Sequence, residues 1–503
     1  MANEHTPLLK TKGSSASISE GFPAEDILAA HRDRRRRRST TTCVEIEEIE
    51  FKRHITLANA IAIIVGGVAG SGIFIAPTGV TRNIGSVGGS LVMWIFCGLS
   101  NIVFALCYAE LGTALPLSGG DYSYIQIILG PLPAFLCLWI TVLVLGPAAG
   151  AVMGRTMALY LLDMFELSCQ TNVLLLLAAS ITILNVVSVL WSTRVMSIFS
   201  FAKLAALAAI IGAGIYKIVT ESPKSFRDPF EGTDLGIGSI VASFLPGFIA
   251  YAGWDCVNTL VEEMVNPARN LPLSVTISMA LVTLVYVLTN MAYFSVMSVT
   301  EFVASDAVAM SFASKVFGSA KWVIPIVVAM SAAGSVNGLF LVYPRCAYAG
   351  AKDGEFPEVF SFVDMQRLTP SPAIYLLCAC SVFFVSATFL DIQGLLAMLG
   401  VVFILKIILT LTSLMVLKWR HPDIPRTIKI HPIIVITCLI FLLAVLCIAV
   451  VHDPLVNGAG LGLFLLGIPI YFSSKICNKS DAINNAMDKI TIFLQQCLLV
   501  IPT

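Results

Sequence analysis

Long apolar runs separated by short polar breaks dominate this chain from residue 55 onward. A helix that crosses the hydrocarbon core of a bilayer needs about 20 mostly apolar residues. By that measure the pattern predicts spans at 55–80, 88–110, 132–161, 173–191, 195–217, 236–261, 271–298, 322–350, 373–390, 393–417, 432–451 and 455–473. The division is a polar tail at 1–54, a membrane domain at 55–473 and a second tail at 474–503. An even number of crossings puts both termini on one side. Arg34 to Arg38 precede the first span. They read as a solvated tail and as a topology signal that keeps this end in the cytosol. Lys352 and Arg367, and later Lys418, Arg420, Arg426 and Lys429, fall in loops on the same side.

Two spans carry interruptions. The first contains GGVAGSGIF, with Gly66, Gly67, Gly70 and Gly72 close together, and the sixth contains Pro246, Gly247 and then FIAYAGWD. Proline removes a helix donor and glycine tolerates unwound backbone. Unsatisfied peptide groups are costly in lipid, so such breaks persist where they line a cavity. Breaks five spans apart predict an inverted repeat, with half-helix N-termini facing an anionic group near the midplane. The competing reading is close helix packing through small residues.

Composition agrees with the membrane assignment. Of 503 residues, 57% are hydrophobic and 12% charged, against roughly 25% charged in soluble domains, and mean hydropathy is +0.88. Net charge is zero, and no nucleic-acid partner, cofactor or metal is expected. None of the six histidines lies inside a predicted span, and there is no HExxH or Cys/His cluster, which argues against an enzyme. Most of the thirteen cysteines sit in apolar runs and read as small buried hydrophobes. Cys43, Cys477 and Cys497 fall in the tails and Cys346 near a cytosolic helix end.

The segments GSGIFIAP, CYAELGTALPLSGGDYSY, YAGWDCVNTLVEEMVNPARNLPL, GSVNGLF and DIPRTIKIHP, spread from residue 70 to residue 432, give the chain a family resemblance. It resembles the light chains of heteromeric amino-acid transporters, the L-type group within the amino-acid–polyamine–organocation superfamily. The resemblance implies an all-α membrane protein of about twelve helices, a LeuT-like five-plus-five inverted repeat with discontinuous first and sixth helices. It implies sodium-independent exchange of amino acids at the plasma membrane. It also implies a single-span heavy-chain glycoprotein, joined by a disulfide from the loop between the third and fourth spans. Cys169 is the matching residue, and no other cysteine falls in a predicted external loop. The alternative for it is an unpaired surface thiol. The Asn478-Lys479-Ser480 sequon falls on the predicted cytosolic side.

A zwitterionic amino acid needs donors for its carboxylate and acceptors for its ammonium. Amides at Gly70, Ser71 and Gly72 are the candidate donors, with the Ser71 hydroxyl. Carbonyls of Gly67, Val68, Phe248, Ile249 and Ala250 are the candidate acceptors. Ile249 stands where the family often has an aromatic lid, and Ala252 where a relative that takes cationic substrates has an acid, so neutral substrates are expected. Trp254 is a gate or ordinary packing.

Lys203, in the fifth predicted span, matches the family position that replaces sodium, bridging to carbonyls and to Ser331 or Ser335. The alternative is a lysine that snorkels to the headgroups. Lys406 lies near the centre of the tenth span without an evident partner. Glu110, Asp121 and Asp255 read as helix-end acids and therefore as poor partners for it. Glu262 and Glu263 read as ion-pair partners near Arg269. Two alternatives to neutral exchange stay open: an amino-acid sensor on the same fold, and a transporter of cationic or other amino acids or polyamines that works without a heavy chain.

Overall fold

The structure is a computed structural model. It describes residues 53–70, 72–116, 120–165, 189–221, 223–305, 307–364, 369–386, 391–424 and 426–477, with Gln495 and Val500–Ile501. Ser71, Cys169 and the predicted fourth span up to residue 188 lie outside the described residues, as do nearly all of both tails.

The first predicted span is two helices, α1 (Leu57–Val68) and α2 (Gly72–Ile84), bent by 53°. Helix α3 (Val87–Ala114) starts where Ser86 caps it by accepting a hydrogen bond from the Gly89 amide at 3.1 Å. A short helix α4 (Gly120–Ile128) follows. The third predicted span contains α5 (Pro131–Ile140), a π turn at Thr141–Leu145, and α6 (Gly146–Phe165). Next come α7 (Val189–Glu221) and α8 (Ile237–Ala250), the latter continued after a break by a 3-10 helix, Trp254–Glu263. Helix α9 (Pro267–Phe294) opens with proline at its first position, where no helix donor is lost. Two short helices, α10 (Val299–Ala304) and α11 (Val308–Val316), precede α12 (Val323–Lys352). The last four are α13 (Ser371–Ser386), α14 (Ile392–Arg420), α15 (Pro432–His452) and α16 (Val456–Cys477).

Eleven of the twelve predicted spans therefore have a helical counterpart among the described residues. Helix α13, at 16 residues, is shorter than a typical crossing. The short helices α4, α10 and α11 were not foreseen, because each is too brief to register as a hydrophobic run.

The helices are apolar in two different ways. In the most apolar stretch of α14, 78% is buried, against 33% in α15 and 22% in α16. So α14 is a central helix, and α15 and α16 offer their side chains to lipid. Phe201, Tyr216, Val219, Ile440 and Val451 are likewise exposed on helix surfaces. In lipid, exposed apolar side chains cost nothing. Around the centre, α9 packs on α1, α3 and α7, while α14 packs on α4, α8 and α15.

Two backbone ties fix chain ends. The amides of His54 and Ile55 donate to Glu263 O, at 2.9 and 3.0 Å, and the Val265 amide donates to Ile55 O at 2.9 Å. Glu263 also faces His54 at 3.8 Å, where the sequence suggested Arg269. At the other end Val363–Asp364 pairs antiparallel with Val500–Ile501.

At Gly253 the chain turns with φ +114°, a left-handed conformation that L side chains adopt with difficulty. A Gly253→Ala variant should lose about 1–3 kcal/mol of stability. Gly66→Ala, at a helical site with open space around it, should be neutral or slightly stabilising. Thermal unfolding in detergent checks both, and equal midpoints for the two variants would contradict the strained turn.

Candidate functional site

The two broken helices meet. Helix α1 ends at Val68, and the Gly70 amide turns back to donate to Val68 O before α2 begins. Across from it, α8 ends at Ala250, and the amides of Tyr251 and Ala252 donate to Phe248 O and Ile249 O at 3.2 and 3.0 Å. The approach is close: a Cβ on Gly72 would lie 3.1 Å from the Ala250 Cα, and one on Gly253 would lie 3.5 Å from Gly67 O. Gly72 is needed for this close approach, whereas Gly253 is needed for its left-handed backbone.

The second break sits later than the sequence suggested. Helix α8 runs through Pro246 and Gly247, and unwinding begins at Tyr251. Gly247 is needed for packing instead, since a Cβ there would meet the Cys97 sulfur at 2.9 Å.

One side chain binds both breaks. The hydroxyl of Tyr286, on α9, lies 2.7 Å from Val68 O and 3.1 Å from Ala250 O. Its ring is wedged against Trp94 and Tyr251, with centroids 5.4 and 4.8 Å away, and the Tyr251 hydroxyl donates to Trp94 O at 3.0 Å. Tyr286 is absent from the sequence expectations. The available signal was a phenol in an apolar span, which needs a polar partner when buried.

This geometry changes the expected ammonium site. Val68 O, Phe248 O, Ile249 O and Ala250 O each already accept from the protein's own donors. A second lone pair remains on Phe248 O, Ile249 O and Ala250 O, whereas Val68 O already faces two donors, the Gly70 amide and the Tyr286 hydroxyl. The side chain of Phe248 points away from any opening, fully buried against Phe104, Phe244 and Phe403. Ile249 and Ala252 are half-buried at the margin of the core.

The donor side is different. The first amides of α2 have no acceptor within their own helix. Residues Gly72 to Thr81 are all buried, and no acidic residue lies in the first turn. The positive end of this helix is thus buried without an acid of its own. The 3-10 helix Trp254–Glu263 has Asp255 in its first turn.

Lys203 is 4% exposed and donates to Gly66 O at 2.6 Å. It does not snorkel. The hydroxyl of Ser335 donates to Ser331 O at 3.0 Å, and Ser331 Oγ is buried without a partner. Ser335 instead touches the first break, 3.3 Å from where a Cβ on Gly70 would stand.

Lys406 does have partners, and they are two of the acids set aside from sequence. Its Nζ lies 2.7 Å from Asp121 Oδ2 and 2.6 Å from Asp255 Oδ2. Both acids are near helix starts, as expected. Those helix starts lie inside the protein: α4 packs on α14, and the start of the 3-10 helix reaches it through Asp255 and through Trp254 against Phe403. Glu110 is engaged elsewhere, by Lys418 at 2.8 Å, Arg426 at 3.8 Å and the Ile430 amide at 3.1 Å. Trp254 is fully buried, its indole donating to Asn101 Oδ1 at 2.8 Å and its ring against Tyr108. In this conformation it packs.

The model of a family described as amino acid permease matches residues 55–468. The large neutral amino acids transporter small subunit 2 of Oryctolagus cuniculus is 40% identical over 467 residues, covering 90% of this chain and 86% of that protein. The cystine/glutamate transporter of Homo sapiens is 37% identical over 463 residues, covering 91% and 92%. The Asc-type amino acid transporter 1 of Homo sapiens is 35% identical over 468 residues, covering 91% and 89%.

Tyr286→Phe deletes the hydroxyl shared by two buried carbonyls and should cost about 1–3 kcal/mol. A fall in the detergent melting midpoint of the purified protein is the expected result. An unchanged midpoint would mean that the breaks are held by something else.

Proposed function

The chain belongs to the amino acid permease family, and on that premise we propose that it is a sodium-independent exchanger of neutral amino acids. The observation that carries this reading is the buried, acid-free start of α2 at Gly72, set against the broken end of α8. A substrate carboxylate would take the first α2 amides, with Ser71 beside them; the Gly70 amide, expected from sequence to join them, donates instead to Val68 O. Its ammonium would take carbonyl lone pairs of Gly67, Phe248, Ile249 and Ala250, since Val68 O already faces two donors. Alternating access would follow from movement of the broken helices, arranged as a five-plus-five inverted repeat.

Relatives of similar identity are named for different amino acids, so overall likeness does not choose a substrate. Side chains near the breaks favour a neutral one. Ala252 offers no acid to a cationic substrate, and half-buried Ile249 offers an apolar surface. The ammonium of Lys406 is already held by two carboxylates, which leaves it little pull on an acidic substrate. Sodium independence is supported by Lys203, whose fixed charge sits on Gly66 O.

The small-subunit name among the relatives supports a second part of the proposal. The chain works at the plasma membrane, termini in the cytosol, beside a single-span heavy-chain glycoprotein linked through Cys169. A sensor on the same fold is the rival reading.

Purified protein in proteoliposomes should take up labelled leucine only when unlabelled amino acid is inside, without sodium, and should discriminate against lysine and glutamate. Uptake into empty vesicles would argue against exchange, and binding without flux would favour the sensor. On non-reducing gels of membranes from cells that co-express a heavy chain, a high-mass band should appear with wild type and vanish with Cys169→Ser. Persistence of that band in the variant would remove Cys169 from the link.

A further inference from the structure

We propose that Lys406, Asp121 and Asp255 form a proton-binding site, in which the two carboxylates share one exchangeable proton beside the lysine. Two acids meet one base here. If all three were ionised, the cluster would hold an uncompensated negative charge. The side chains of Lys406 and Asp121 are only 9% and 7% exposed, and that of Asp255 is 20% exposed. A net charge at such depth is expensive, by several kcal/mol. One proton removes it, and two carboxylates so close to one ammonium cannot both be neutralised by it.

The surroundings supply no second cation among the described residues. Tyr108 faces the cluster from α3, Tyr343 and Cys346 from α12, Cys137 from α5 and Cys256 from the 3-10 helix. These are phenols and thiols. From α14 itself come the ring of Phe403, with the ammonium 5.8 Å from its centroid, and Thr410, which donates to the Lys406 carbonyl. Glu110 provides the internal contrast. It is a fully buried acid, but it faces two bases, Lys418 and Arg426, so that cluster has no excess of acid.

The location gives the proton a consequence. Asp255 is two residues past the turn at Gly253, on the 3-10 helix, while Lys406 is on α14 and Asp121 on α4. With Asp255 ionised, the 3-10 helix is bonded to α14. A proton arriving on the carboxylate pair removes one of the two charges held by Lys406 and loosens the tie between the 3-10 helix and α14. This coupling to exchange rests on the transport reading above; the proton itself does not.

Infrared difference spectroscopy of the purified full-length protein, with hydrogen–deuterium exchange, tests the site directly. Wild type should show a carboxylic-acid C=O band near neutral pH that shifts in D2O, and Asp121→Asn or Asp255→Asn should lose it. Absence of the band in wild type at every pH between about 5 and 9 would overturn the proposal. So would a band that survives in both variants. If neither variant folds, the wild-type titration still decides, together with Lys406→Arg, which keeps the cation and should move the band. In parallel, exchange in proteoliposomes should accelerate as pH falls in wild type and become pH-insensitive in Asp255→Asn. A band without exchange would sink the transport reading alone, and exchange without a band would sink the proton site alone.

Discussion

Every feature of the candidate site follows from one constraint. A peptide group inside a bilayer has no water to bond, so a broken helix must find partners for its bared amides and carbonyls within the protein. Here the partners are local and few. The turn at Tyr251 and Ala252 satisfies Phe248 O and Ile249 O, the Gly70 amide donates to Val68 O, and the single Tyr286 hydroxyl is shared between Val68 O and Ala250 O. Lys203 adds a charge-assisted bond to Gly66 O. What is left over is the start of α2, whose donors point into the protein with no acid to receive them.

The two breaks handle their positive ends in opposite ways. At α2 the dipole is left without a resident carboxylate, which suits a visiting anion. At the 3-10 helix, Asp255 occupies the first turn permanently, and Lys406 answers it from α14. One end is left open to a ligand and the other is closed internally. The two carboxylates explain how a lysine can sit at the middle of a highly apolar helix.

Much of this was legible in the sequence, and the misses have physical causes. Span positions follow directly from hydropathy, because the bilayer imposes a length and an apolar composition that few other structures need. The glycines at 66–72 fall where α1 gives way to α2, although small residues at that spacing also serve close helix packing. Pro246 misplaced the second. A proline costs a helix one hydrogen bond, and α8 tolerates that loss five residues before it unwinds. The partners of Lys406 were misjudged because linear reading assumes that helix ends lie at membrane surfaces. Broken helices bring ends to mid-depth, and only the fold shows which helix receives them. Tyr286 was missed for a related reason: its partners are backbone atoms of distant segments, and nothing in a single sequence encodes that distance.

The parallel bridge between Ile55 and Met264 has a mechanical meaning. It clasps the point where the chain enters α1 to the point where the 3-10 helix ends. The start of the first interrupted span and the end of the second are thereby tied by backbone, so that a force on one would reach the other.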